Sequence, residues 1–152
     1  MTQAPKRPRV LIADDHPGVR MAMIRLLLSR CDVVGSVGEG CALIREQKRL
    51  LPDVVVVDIL LPGLNGIETS RSIKAVAPRT RVVITSRADD ADLRDEARAA
   101  GASRFISKMR LASDLLPAVL DSLEDTTTTT ASSEARHPPP PVVTSIASRS
   151  RR

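Results

Sequence analysis

Short apolar runs alternate along the chain with longer stretches in which apolar residues recur at helical spacing. The apolar runs predict strands at residues 9–13, 32–37, 53–58, 81–86 and 103–107. The stretches between them predict helices at residues 17–30, 42–50, 65–77, 89–100 and 111–124. Pro17 suits a first helical turn and Gly101 suits the end of a helix, whereas Pro117 should bend the last helix or shift its start.

The strand runs do not alternate between apolar and polar residues. Residues 54–57 are four valines in a row, followed by Asp58. Strands of this kind, each followed by a helix, are typical of a parallel sheet that is covered on both faces. We therefore predict an α/β domain over residues 8–124, with a doubly wound five-stranded parallel sheet.

Several polar residues come at or just after the ends of these strands. They are Asp14, Asp15, Asp58, Ser86 and Lys108. Taken singly, each is most simply a solvated turn residue. Because parallel strands end at the same edge of a sheet, where such folds place their sites, we expect the five to converge there.

Composition narrows the class of protein only slightly. Hydrophobic residues make up 42% and charged residues 27%, with one Phe, a net charge of +5 and a pI near 10.0. A mild, dispersed positive charge is weak evidence for a polyanionic ligand. Cys31 and Cys41 are expected to be reduced thiols, and no run suggests a signal peptide or a membrane span, so we expect a cytoplasmic location. Residues 125–152, with their threonine and proline runs, predict a disordered low-complexity tail.

The converging residues suggest phosphoryl chemistry. Crowded carboxylates repel one another, and a hard divalent cation such as Mg²⁺ would relieve that repulsion. A neighbouring lysine and a hydroxyl make sense if a phosphoryl group arrives, since an ammonium and a metal together neutralise its oxygens. A carboxylate can also act as a nucleophile, and Asp58, on the most apolar strand, is the natural choice.

Four segments together resemble a known family. They are "LIADDHPGVR", "VVVVDILLPGLNGIE", "RVVITS" and "AGASRFISK". In this order they resemble the receiver domain of two-component response regulators, closest to the NarL/FixJ type, over residues 8–124. The resemblance implies a flavodoxin-like sheet of strand order 2-1-3-4-5 and a phosphorylation-dependent signalling switch.

The resemblance also implies roles for individual residues. Asp58 matches the phosphoacceptor, and Lys108 matches the lysine that contacts the phosphoryl group. Asp15 matches a direct Mg²⁺ ligand together with Asp58 and the backbone carbonyl of Leu60, while Asp14 acts on the ion through water.

The switch residues follow from the same resemblance. Phe105 matches a rotating aromatic residue, although a core-filling role is its simpler interpretation. The family's spacing from the glycine after helix 89–100 selects Ser86 as the switch hydroxyl, with Thr85 as the alternative. The next residue is normally small, and here it is Arg87, which could narrow access to the phosphate, pair with it, or simply point into solvent.

The expected function is signalling rather than catalysis, apart from the chain's own phosphotransfer and dephosphorylation. The donor would be a sensor histidine kinase or a phosphotransfer protein, and the face formed by residues 89–124 would bind a partner or a second copy of the chain. The segment after residue 124 is too short for the helix-turn-helix domain of NarL-type proteins, so no DNA binding and no membrane contact are expected. A stand-alone receiver and the receiver half of a regulator remain equally open.

Other classes of protein fit less well. A phosphohydrolase with an aspartyl-phosphate intermediate usually has a second aspartate two residues after the nucleophile, where this chain has Leu60. A binding-only pseudo-receiver usually lacks acidic residues or the lysine, and all are present here. Arg87 and the absence of an output domain are the points in its favour. Nucleic-acid binding by the terminal "RSRR" is a weaker alternative.

Overall fold

The computed structural model describes residues 3–125, so the predicted tail lies outside the described residues apart from Asp125. The strands are β1 (Arg9–Ala13), β2 (Asp32–Val37), β3 (Val54–Asp58), β4 (Arg81–Ser86) and β5 (Arg104–Ser107). The helices are α1 (Pro17–Leu27), α2 (Gly40–Leu50), α3 (Gly66–Val76), α4 (Ala91–Ala99) and α5 (Leu111–Glu124). A short 3₁₀ turn, Lys108–Arg110, joins β5 to α5.

The strands form one parallel sheet in the order β2-β1-β3-β4-β5, which confirms the predicted fold class. Strand β3 lies at the centre, with β1 on one side and β4 on the other. Every residue of β3 is buried. That burial explains why the strand does not alternate between apolar and polar residues, since both of its faces are covered.

Helices cover both faces of the sheet and enclose two hydrophobic clusters. On one face, α2, α3 and α4 contribute Leu43, Ile73 and Ala97. On the other, α1 and α5 contribute Leu27 and Leu115. Burying one such aliphatic side chain contributes roughly 1.5–3 kcal/mol before the cost of chain entropy, so the two clusters supply most of the driving force for folding.

Some predicted helix bounds were wrong by a few residues. Helix α1 ends at Leu27 instead of residue 30. The chain turns directly after Leu27, and the N–H of Cys31 donates to the Leu27 carbonyl at 2.8 Å. The Arg7 side chain donates to the carbonyls of Leu28 and Cys31, which satisfies acceptors that a longer helix would have used.

The other helix ends also differ slightly from their predicted positions. Helix α2 begins at residue 40 instead of 42, and α4 begins after Asp90, whose carboxylate accepts from the N–H of Asp92 at 2.7 Å. Asn65 caps α3 in the same way. Gly101 has a φ of +90° just after α4, as predicted. Helix α5 keeps its predicted bounds with Pro117 inside it.

Two further predictions concern membranes and cysteines. None of the described helices is both long and apolar enough to cross a lipid bilayer. Cys31 and Cys41 are free thiols, the first buried and the second exposed.

Gly66 is the point at which α3 packs against the end of β3. A Cβ atom at this position would lie 2.6 Å from the carbonyl oxygen of Asp58 and 2.8 Å from the Cα of Ile59. Both are backbone atoms, so neither can move aside as a flexible side chain would. Glycine at position 66 therefore allows α3 to pack this closely against the backbone that carries Asp58.

We expect Gly66→Ala to lower the free energy of unfolding by about 2 kcal/mol, because the methyl group overpacks against backbone. Urea denaturation measures this change. Gly18→Ala is the matched control: it lies in α1 with no atom within 4 Å of the new Cβ, so it should be neutral or stabilising by up to about 1 kcal/mol. Equal effects of the two variants would contradict the packing argument.

Candidate functional site

Three side chains from three strands meet at the carboxyl edge, the edge of the sheet where its strands end. The Nζ of Lys108 lies 2.5 Å from Oδ2 of Asp14 and 2.9 Å from Oδ2 of Asp58. The exposed fractions of the three side chains are 8%, 0% and 6% respectively. Three of the five residues expected at this edge are therefore in contact, and Lys108 compensates the negative charge of Asp58.

The protonation of Lys108 reflects a competition between burial and its two partners. Burial lowers the pKa of its ammonium group, because the charged form loses hydration. The hydrogen bonds and negative charges of Asp14 and Asp58 outweigh that effect, and the pKa of Lys108 lies above its ordinary value. The site thus keeps a cation between two buried carboxylates.

A small cavity opens beside Asp58. The second carboxylate oxygen of Asp58, Oδ1, accepts a long hydrogen bond of 3.3 Å from the N–H of Leu60. The cavity, about 130 Å³, is lined by Asp15, His16, Asp58, Leu60 and Arg87. It is called the acidic cavity below.

The oxygen atoms of the residues around the acidic cavity are suitable ligands for a hard divalent cation. Asp15 is about one-third exposed, and Asp15 and Asp58 both line this cavity. Carboxylate and carbonyl oxygens with room for retained waters are the ligands that Mg²⁺ prefers. Asp15, Asp58 and Leu60 therefore form a set that fits such an ion.

His16 is a residue of this site to which the sequence analysis assigned no role. Its Nδ1 lies 2.8 Å from Oδ1 of Asp15 and 3.3 Å from Oδ1 of Asp14. Its backbone N–H also donates to Asp14 Oδ1 at 2.9 Å. The available signal was its position directly after the two aspartates in "DDHP".

The two candidate hydroxyls lie on opposite faces of β4. Ser86 alternates with Ile84, which belongs to the cluster under α2, α3 and α4, whereas Thr85 alternates with Val83 of the other cluster. Ser86 is buried, and its Oγ accepts from the N–H of Ala88 at 3.0 Å. Among the described residues, neither hydroxyl forms a hydrogen bond with Asp58 or Lys108.

Ser86 and Arg87 both line a second, mainly apolar cavity of about 350 Å³, which also includes Ile59, Ile67 and Leu93. Arg87 and Leu60 border this cavity and the acidic cavity alike. Arg87 is exposed, and its Nη2 lies 3.3 Å from Nε2 of His16. It therefore does not simply extend into solvent.

Phe105 is partly buried and packs against the cluster under α2, α3 and α4. The guanidinium of Arg94 lies over its ring, 5.4 Å from the centroid, and the same guanidinium is paired with Asp89. Phe105 thus lies at the surface between α4 and β5, away from the acidic cavity. The core-filling and the switch interpretation of Phe105 both fit this position.

Comparison with known proteins gives a consistent family. The sequence pattern described as "Response regulator receiver domain" matches residues 10–120. The Mycobacterium tuberculosis protein named "Probable transcriptional regulatory protein NarL" is 32% identical over 119 residues, which is 77% of this chain and 55% of that protein. The chain thus spans about half the length of this curated relative.

Solved structures agree with the sequence comparison. The signal receiver domain of NarL from Mycobacterium tuberculosis superposes with a TM-score of 0.76 at 31% identity, covering 79% of this chain and 98% of that one. The isolated receiver domain of RcsB from Salmonella enterica serovar Typhimurium, determined with the phosphomimetic BeF₃⁻, gives a TM-score of 0.71 at 25% identity. That alignment covers 79% of this chain and 90% of that one.

Replacing Lys108 tests the electrostatic arrangement directly. We expect Lys108→Met to lower the free energy of unfolding by about 3 kcal/mol in urea denaturation, because it leaves two buried carboxylates without a counter-charge. Lys48→Met removes an exposed lysine from α2 and should change stability by less than about 0.5 kcal/mol. A Lys108→Met loss no larger than that of the control would show that the buried carboxylates do not depend on the ammonium.

Proposed function

This chain belongs to the response regulator receiver domain family, and from that premise we propose that it is a phosphorylation-dependent signalling switch. In this proposal Asp58 accepts a phosphoryl group from a histidine kinase or a phosphotransfer protein. The observation that carries the proposal is the position of Asp58: Lys108 binds one of its oxygens, and Asp58 lines a small cavity together with Asp15.

The phosphotransfer step would use Oδ1 of Asp58, the oxygen that Lys108 does not bind, as the nucleophile. A bond forms between this oxygen and phosphorus while the P–N bond of a phosphohistidine breaks, and the leaving imidazole takes a proton from solvent. Lys108, already paired with Asp58, is close enough to donate to an oxygen of the transferred group. Attack by water on phosphorus later returns the carboxylate and inorganic phosphate.

Mg²⁺ is the proposed cofactor. Asp15, Asp58 and the carbonyl of Leu60 would bind it directly, and Asp14 would act through water. When bound, the ion would offset the negative charge of the phosphoryl oxygens. Asp14 is already committed to Lys108 and fully buried, which supports an indirect role for it.

Ser86 and Phe105 are the proposed switch, with Thr85 as the alternative hydroxyl. The Ser86 oxygen is an acceptor in its present bond to Ala88, so its O–H remains able to donate toward an added phosphoryl group. Phe105 would then turn inward and give up its contact with Arg94. The face formed by residues 89–124 would change shape and bind a partner or a second copy of the chain.

A binding-only pseudo-receiver is the second candidate, because Arg87 lies beside the acidic cavity where a small residue is expected. We propose that Arg87 modulates access to Asp58 instead of closing it completely. The possibility that the chain is the receiver half of a longer transcription regulator also stays open. We do not propose DNA binding by the described residues. A cytoplasmic location remains a prediction from the sequence.

Incubation with Mg²⁺ and acetyl phosphate should add one phosphoryl group, measured by intact mass. Asp58→Asn should add none, because its amide is not a nucleophile, while Asp95→Asn, an exposed change on α4, should behave like the wild type. The proposal fails if the wild type gains no group from acetyl phosphate or from any of a panel of phosphorylated kinases. That outcome would favour the binding-only candidate.

The proposed switch predicts that BeF₃⁻ with Mg²⁺ shifts amide resonances across residues 89–124 as well as beside Asp58. Phe105→Leu keeps the site but removes the ring. The amide shifts that BeF₃⁻ causes in this variant should therefore persist near Asp58 and become smaller in α4. Shifts confined to the Asp58 loop in the wild type would rule out a change of the 89–124 face.

A further inference from the structure

His16 and Arg87 form a contact that crosses the central strand of the sheet. His16 follows β1 and Arg87 follows β4, and these two strands flank β3. The 3.3 Å contact between Arg87 Nη2 and His16 Nε2 therefore spans the carboxyl end of β3, where Asp58 lies. This contact is called the clasp below.

The two partners of His16 in the clasp determine which of its ring nitrogens carries the proton. An arginine can only donate, so Nε2 must present its lone pair to Arg87. The Asp15 carboxylate can only accept, so the proton must be on Nδ1, 2.8 Å from it. The neutral Nδ1–H tautomer satisfies both contacts at once.

The clasp lies at the wall of the acidic cavity. His16 and Arg87 both line this cavity with Asp58, and Arg87 also lines the larger apolar cavity. A free arginine side chain samples many rotamers, and one anchored at its guanidinium samples few. The contact with His16 therefore concentrates the guanidinium on the approach to Asp58.

We propose that His16 is a positioning residue that holds Arg87 across the approach to Asp58, and that the clasp slows hydrolysis of the aspartyl phosphate. The inference rests on the proposed function and adds a regulation of the same site. Water must approach phosphorus along the side opposite the Asp58 oxygen, so a guanidinium held on that approach excludes it. Arg87 can also donate to a phosphoryl oxygen.

The clasp itself can be tested without phosphorylation, from the ring ¹⁵N resonances of His16. We expect the Nδ1–H tautomer, with Nε2 unprotonated. Arg87→Ala should shift the Nε2 resonance, and Arg71→Ala, the same loss of charge at an exposed position on α3, should not. A dominant Nε2–H tautomer, or no shift in Arg87→Ala, would overturn the proposal.

The regulatory effect is measured as the decay of the phosphorylated protein. His16→Ala and Arg87→Ala should each hydrolyse about fivefold faster than the wild type, roughly the effect of one ordinary hydrogen bond. The double variant should decay no faster than either single one, because both remove the same clasp. Unchanged decay, or single effects that multiply, would overturn the proposal.

A direct role of His16 in cation binding is the competing explanation. Its ring lies with the carboxylates of Asp14 and Asp15 in a cluster whose ligand atoms are within 4.8 Å of one another. Titration of the unphosphorylated variants with Mg²⁺ should show no loss of affinity in either one. Weaker Mg²⁺ binding in His16→Ala alone would overturn the positioning role. If the wild type forms no phosphoryl adduct, the proposed function is refuted, and the ring resonances then show whether the clasp exists.

Discussion

Two buried carboxylates end neighbouring strands, and the ammonium group of Lys108 binds both of them. Lys108 follows β5, which is separated from β3 by β4, so its side chain reaches across the end of β4 to Asp58 and to Asp14, just after β1. Without that cation the two aspartates would carry uncompensated charge in the interior, at a cost of several kcal/mol. The carboxyl edge of the sheet therefore depends on the cation that joins these two carboxylates.

A second cation completes the arrangement from the solvent side. Lys108 binds one oxygen of Asp58 from within the protein, and Arg87, which contacts His16, lines the acidic cavity beside Asp58. The two cations differ in their exposure. The lysine side chain is buried, whereas the arginine is exposed.

Sequence patterns predict the frame of this protein well because each strand is short, apolar and followed by a helix. The bounds of β1, β2 and β4 match their predictions. The early end of α1 depends on a distant side chain, Arg7, which no local pattern reveals. The His16–Arg87 contact escaped prediction for the same reason, since it joins two loops that only the strand order brings together. The roles of the site residues remain predictions.

The most direct test of the account is to locate the phosphoryl group chemically. Borohydride reduces an aspartyl phosphate to homoserine, and sequencing of the resulting peptides by mass spectrometry identifies the converted residue. The account predicts homoserine at position 58 after incubation with Mg²⁺ and acetyl phosphate. Conversion of Asp14 or Asp15 instead, or a phosphoryl group on a hydroxyl residue that survives reduction, would contradict it.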